Sequence, residues 1–193
     1  MAEEAEQKVD KEKILVVIDM QNDFITGSLG NKDCEDTVIP VVQLVNAENW
    51  GRIYMTMDTH SDHYMNSLEG TKLPVEHCIA DTDGWRIQKD VIDAIANSGM
   101  QFEAFEKTTF GSDTLSRAVK TYLGMNHIHE GCAEIHVCGL CTSICVLANV
   151  ALLRTALPNA RIYVHINATA DVTIEMKAHG LFCLQALQCD IVP

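Results

Sequence analysis

Val137-Cys138-Gly139-Leu140-Cys141-Thr142-Ser143-Ile144-Cys145-Val146 reads as a strand, a turn and the start of a helix. The apolar run Ile135 to Cys138 makes the strand, and Gly139 opens a tight turn. From about Ser143 the helix-forming residues Val146, Leu147, Ala148, Val150, Ala151 and Leu152 follow. In a parallel α/β sheet such junctions open at the carboxyl ends of the strands, where ligands bind. Cys145 falls in the first helical turn, where unpaired backbone N–H groups and the helix dipole favour an anion. A free thiol, with a pKa of about 8.5, is little ionised at neutral pH, and a helix N-terminus or a nearby cation lowers that value. The junction therefore marks Cys145 as a candidate nucleophile. Two plainer readings stand beside it. Buried cysteines are usually inert core residues, and Cys138-x-x-Cys141 has the spacing of a redox or half-metal motif. The second is the weaker, because Cys138 belongs to the strand and no other C-x-x-C pair completes a zinc site.

Outward from this junction the chain alternates strands and helices. Ile14-Leu15-Val16-Val17-Ile18 is an unbroken, mostly β-branched run, as in a strand buried on both faces, and it ends in Asp19. Glu35 to Trp50 is expected to be a helix with Val38, Val41, Val42 and Val45 on one face and Pro40 near its start. Arg52 to Met57 makes a second strand, ending in Asp58. A long segment of little periodicity runs from there to about Arg86, and loops of this length inside compact domains are usually functional. A short helix near Ile87 to Ala96 precedes a third strand, Phe102 to Phe105, which ends at Glu106-Lys107. Ser112 or Asp113 can cap a helix to about Leu123. Arg161 to Ile166 is a fifth strand, Thr173 to Leu187 a helix, and Cys189 to Val192 a short closing strand. The pattern predicts an α/β fold of three layers, α/β/α, around a mostly parallel sheet of about six strands. One domain over residues 1–193 is expected, with residues 1–12 as a polar lead-in.

Composition excludes several function classes. With 14 Lys and Arg against 27 Asp and Glu, the formal net charge is −13. That balance opposes general nucleic-acid binding and anionic membranes as partners. No apolar run reaches the roughly 18 residues of a membrane span. The charged start, Met1 to Lys13, is unlike a secretory signal. Eight cysteines without such a signal point to free thiols in a reducing, cytoplasmic setting.

Three strands end in residues able to do chemistry: Asp19, Lys107 and the Cys141/Cys145 turn. In a parallel sheet these ends share one edge. A carboxylate there can accept a thiol proton, and an ammonium favours both carboxylate and thiolate. Taken singly, Asp19 also reads as a cap and Lys107 as a solvated surface charge.

These residues carry a resemblance to the isochorismatase-like cysteine hydrolases, and within them to the nicotinamidases. Asp19, Gln21, Asp23 and Phe24 match the family's D-x-Q-x-D-F after an apolar strand. Lys107 and Phe110 match its lysine and following aromatic, and Val137 to Val146 reproduces V-C-G-x-x-T-x-x-C-V. The resemblance covers about Ile14 to Val192. It implies that Asp19, Lys107 and Cys145 are catalytic, with Cys145 rather than Cys141 the nucleophile. It further implies a cis peptide between Leu140 and Cys141, which aims the Cys141 N–H beside the Cys145 N–H as an oxyanion hole.

The resemblance also implies a divalent metal held by Asp58, His60 and His77. Glu69 stands where some members place a fourth ligand, and His63 is its rival. Mixed nitrogen and oxygen donors suit zinc, with iron or manganese as alternatives. Without the resemblance the same residues read as a hydrogen-bonded loop. His127, His129 and His136 are expected at the surface or at an edge. The aromatic that nicotinamidases carry just before the last metal histidine is missing from Leu73-Pro74-Val75-Glu76-His77. Phe24 and Phe110 are expected to wall the substrate ring, with Tyr64 and Trp85 as other sources of ring contacts.

The resemblance thus implies hydrolysis of a small carboxamide through a thioester, with nicotinamide as substrate and nicotinate and ammonia as products. Other amides or ureides, isochorismate-type ether hydrolysis and a non-catalytic binding protein are the rival readings. A homo-oligomer is also expected from the resemblance.

Overall fold

The computed structural model describes residues 11–193. Six strands form one sheet in the order β3-β2-β1-β4-β5-β6, and every neighbouring pair is parallel. The strands are β1 (Glu12–Ile18), β2 (Arg52–Asp58), β3 (Phe102–Lys107), β4 (Ala133–Leu140), β5 (Arg161–Ala170) and β6 (Asp190–Val192). This is a doubly wound order, and the direction of winding reverses between β1 and β4. Parallel neighbours cannot be joined by hairpins, so helices cross over between them: α1 (Asn22–Ile25), α2 (Lys32–Val45), α3 (Leu68–Lys72), α4 (Lys89–Asn97), α5 (Asp113–Met125), α6 (Leu147–Ala156) and α7 (Ile174–Ala186).

The period of two along β1 divides its side chains between the two helical layers. Ile14, Val16 and Ile18 pack with Leu115 and Val119 of α5 and Val150 of α6. Leu15 and Val17 pack with Val38 and Val41 of α2 and Val91 of α4 on the other face. All five β1 residues are fully buried, which explains why the run shows no polar alternation. Burial of each such side chain is worth roughly 1.5 to 3 kcal/mol.

The expected lead-in over residues 1–10 lies outside the described residues, and β1 starts at Glu12 rather than after it. Other boundaries differ, three of them for visible reasons. α2 begins at Lys32, because the Asn31 side chain accepts the Cys34 N–H and caps it; Pro40 therefore sits inside the helix. The same helix stops at Val45, and the buried Trp50 turns back to donate its indole N–H to the Val45 carbonyl at 3.0 Å. β5 runs on to Ala170, with a register shift against β4 between Val137 and Gly139. Gly139 has φ 113°, and a Cβ there would lie 2.0 Å from the Ile18 carbonyl oxygen, so the approach of β1 and β4 at the sheet's exit requires glycine.

His136 is a correction. It sits on central strand β4, half-buried, stacked on Tyr163 and bonded through Nδ1 to His165 Nε2 at 2.9 Å. His127 and His129 are exposed as expected. Burial, with His165 beside it, lowers the His136 pKa to about 4, although Glu134 and Glu48 act the other way and Lys13 adds to the lowering. An unfolded histidine takes its proton near pH 6.5. Between those values the unfolded chain binds more protons, so stability is complete above about pH 6.5 and falls as pH drops towards 4. Discounted for partial exposure, we expect a loss of about 1 kcal/mol between pH 7 and 5. Urea unfolding should show it, and His136→Phe should flatten it. An unchanged slope in that variant would assign the loss to other groups.

Candidate active site

The carboxyl ends of β1, β3 and β4 deliver Asp19, Lys107 and Cys145 to one place. Asp19 leaves β1 with φ 46°, its N–H 3.2 Å from the Thr56 carbonyl. The buried Thr56 hydroxyl donates to Asp19 Oδ1 at 2.6 Å, which fixes the carboxylate's rotation. Lys107 is the last residue of β3. Its Nζ lies 2.7 Å from Asp19 Oδ2, 3.4 Å from Asp58 Oδ1 and 3.7 Å from Cys145 Sγ. Lys107 pairs with Oδ2, and a carboxylate oxygen carries a second lone pair that can take another proton. β4 passes through a cis peptide between Leu140 and Cys141 into a π-type turn, Thr142–Val146, which carries Cys145 into α6.

All three groups are buried, and burial is the largest single influence on each. Burial pushes the Cys145 thiol well up, the Asp19 charge adds to this, and Lys107 only partly offsets both. Asp19 is likewise raised by burial, against the pull of Lys107. Burial opposes the charge on Lys107, but Asp19, Cys145 and Asp58 around it outweigh that and hold the ammonium. Burial and the Asp19 charge thus oppose the thiolate expected at a helix N-terminus, and Lys107 favours it.

Asp58, His60, Glu69 and His77 offer ligand atoms all within 4.8 Å of one another. His60 Nε2 and His77 Nε2 lie 3.0 and 3.5 Å from Asp58 Oδ2, and 3.9 and 3.8 Å from Glu69 Oε1. Four donors at about 2.0 to 2.2 Å around a tetrahedral zinc are separated by roughly 3.4 Å, and these spacings bracket that figure. His77 Nδ1 faces the Val75 carbonyl at 2.9 Å, which turns Nε2 towards the group. Burial opposes the Asp58 charge, yet hydrogen bonds from both histidines and the charge of Lys107 hold its carboxyl below the usual carboxylate range. The donor set therefore fits a divalent metal. His63 is not part of it: its side chain is 80% exposed, beside Asp62.

Sequence reading matched Gln21 and Asp23 to a motif without giving them a role, and it missed Asn149 and Asp171, which also hold this frame. Gln21 is fully buried; its amide donates to the Asp58 and Trp85 carbonyls and accepts the Asp58 N–H, locking the end of β2. Asp23 accepts the Cys78 N–H at 2.7 Å and anchors the His77 loop. The D-x-Q-x-D spacing was the available signal. Asn149 had none: it joins the Cys145 carbonyl, the Phe110 carbonyl and the Ser112 N–H in one buried knot. Asp171 accepts the Ser143 N–H at 2.6 Å and caps the nucleophile turn.

Cys145 of the first group and Asp58, Glu69 and His77 of the second line one pocket. Cys141 and Cys145 line it, with Asp58, Glu69 and His77 on another wall and Phe24, Leu29, Leu73, Phe110, Ile144 and Val172 as apolar surface. Phe24 and Phe110 both reach it, as expected; Tyr64 instead packs edge-on against His77 and tilted on His60. Trp85 is held by Thr59, away from the lining.

Solved structures share this architecture. Nicotinamidase PncA from Bacillus subtilis superposes with a TM-score of 0.76 at 24% identity, over 94% of this chain and 99% of that one. A pyrazinamidase of Pyrococcus horikoshii in complex with zinc gives 0.72 at 19%, over 94% and 98%. N-carbamoylsarcosine amidase from Thermoplasma acidophilum gives 0.66 at 19%, over 93% and 95%. No curated protein sequence matches. These identities establish the fold alone. The family model of the isochorismatase domain, however, matches residues 13–192, from the second residue of β1 to the last of β6, and the chain belongs to the isochorismatase family of hydrolases.

Proposed function

We propose that this chain is a cysteine amidohydrolase that converts nicotinamide to nicotinate and ammonia. One observation carries the reading: a nucleophile cluster and a metal-fitting donor set meet in a single apolar pocket with two phenylalanines. Asp19 takes the proton of the Cys145 thiol through its free Oδ2 lone pair as sulfur attacks the amide carbon. Lys107 compensates the negative charge that this transfer leaves among buried groups. The N–H groups of Cys141 and Cys145 serve the developing oxyanion. Asp19 then gives its proton to the leaving nitrogen, ammonia departs, and a thioester remains on Cys145. With Asp19 again ionised, water delivered on the same path releases the acid and restores the thiol. A divalent metal on Asp58, His60, Glu69 and His77 supplies a Lewis acid on the pocket wall, for which a pyridine nitrogen is a suitable ligand. Phe24, 5.5 Å from the His77 ring, and Phe110 offer flat surface to the pyridine.

The pocket argues against ureides that carry a carboxylate. Among the described residues no lysine or arginine lines it, and its charged walls are acids. Lys107 is already committed to Asp19. A buried carboxylate would find no cationic side chain to pair with there, and on the metal it would compete with the ring nitrogen. We therefore expect ammonia release from nicotinamide at a kcat/KM at least about 100-fold above that for an N-carbamoyl amino acid, the ratio that about 2.7 kcal/mol of lost transition-state binding gives. The reverse ranking in a coupled ammonia assay would discard nicotinamide and keep the amidohydrolase.

A further inference from the structure

The four metal-fitting donors are divided between two openings. Asp58 and His77 face the substrate pocket, His60 faces a second cleft, and Glu69 faces both. The second cleft is lined by Thr59, Ser61, Ser67 and Thr108, with Leu68 and His63 on its wall. Side-chain exposure falls in steps along it, from 80% at His63 to 22% at Glu69 and 9% at His60, and the donors that face the substrate pocket, Asp58 and His77, are 7% and 2% exposed. The substrate pocket instead presents six apolar side chains to anything entering. A hydrated divalent cation loses water only as donors replace it, so an apolar passage is costly and a series of donors is not.

On this basis, and resting on the metal reading above, we propose that the outer cleft is the metal's own entrance and that His63 is its first ligand. The cation would pass from His63 to Glu69 and His60 and settle against Asp58 and His77, without using the substrate's path. His63 is absent from the final donor set, so it should set rates and not affinity. Leu68, 78% exposed, stands at this cleft, and Val172, 55% exposed, lines the substrate pocket.

The test is metal exchange in the full chain, followed by the visible absorption of cobalt(II) on uptake and by a chromogenic chelator on release. His63→Ala should slow uptake and release by the same factor, about 5- to 10-fold, and leave the dissociation constant unchanged; a final ligand would raise that constant. Leu68→Trp should slow uptake, and Val172→Trp should not. An unaltered cobalt spectrum at saturation shows that each variant keeps the site. The proposal is overturned if Val172→Trp slows uptake and Leu68→Trp does not, or if His63→Ala weakens equilibrium binding. A wild-type chain that binds no cobalt, zinc or manganese overturns the entrance and the metal reading together, whereas tight binding with the wrong variant pattern removes the entrance alone.

Discussion

Replacing Cys145 with alanine should lower kcat for nicotinamide by at least about 10³-fold, because Cys145 carries the thiol that Lys107 Nζ reaches at 3.7 Å and on which the acyl intermediate forms. The buried side chain loses only its sulfur, so stability should change by about 1 kcal/mol. Nicotinamide binding should persist, since ring contacts and metal donors are untouched. This separates the enzyme from a binding protein that keeps the fold: the former loses turnover and not binding, the latter has no turnover to lose. The proposed proton transfer makes a second demand. Asp19→Asn preserves the Thr56 hydrogen-bond geometry but removes the proton acceptor, so it should be nearly as damaging as Cys145→Ala. The double variant should be little worse than either, because the two residues act in one step. Full activity in Cys145→Ala would end the thioester mechanism.

Much of this was readable in the chain before any coordinates, for physical reasons that differ by residue. β1 declared itself because five consecutive apolar residues, mostly β-branched, fit a strand covered on both sides and little else. Asp19, Lys107 and the Cys145 turn followed from one geometric fact, that parallel strands bring their ends to a common edge. The donors Asp58, His60, Glu69 and His77 came from the family resemblance, since a loop of 19 intervening sequence steps from Asp58 to His77 carries no period to say where it folds back. Ring stacking, single buried amides and solvation are invisible in a string of letters. Asn149 looked like any polar residue on a helix, His136 like an edge histidine, and Cys145 like a sulfur at a helix N-terminus. Each was decided by burial against residues far away in sequence: Phe110 and Ser112 for Asn149, Trp50 and His165 for His136, and Asp19 for Cys145.

Asp58 joins the two halves of the site, so its substitution should move two observables in opposite directions. Oδ1 faces Lys107 at 3.4 Å, while Oδ2 faces His60 and His77 at 3.0 and 3.5 Å. Asp58→Asn keeps the shape and removes the charge. Its amide must point N–H groups either at an ammonium or at the histidine nitrogens, and neither arrangement serves a cation. Zinc affinity should fall at least about 100-fold, beyond the 10- to 100-fold that loss of a residue supporting a ligand costs. The kcat/KM for nicotinamide should fall by a similar factor. The Asp58 charge is also one of the causes that raise the Cys145 thiol. With that charge gone, Lys107 is shared between Asp19 and Cys145 alone, and the thiol should ionise more readily. Metal-free Asp58→Asn should therefore be alkylated by iodoacetamide at pH 7 several-fold faster than the metal-free wild type, even as catalysis declines. A general loosening of the fold would also expose the sulfur, so unfolding by urea must be measured alongside, and its midpoint should shift little. Weaker metal binding with slower or unchanged alkylation would mean that Asp58 serves the metal group only, with no electrostatic link to the nucleophile.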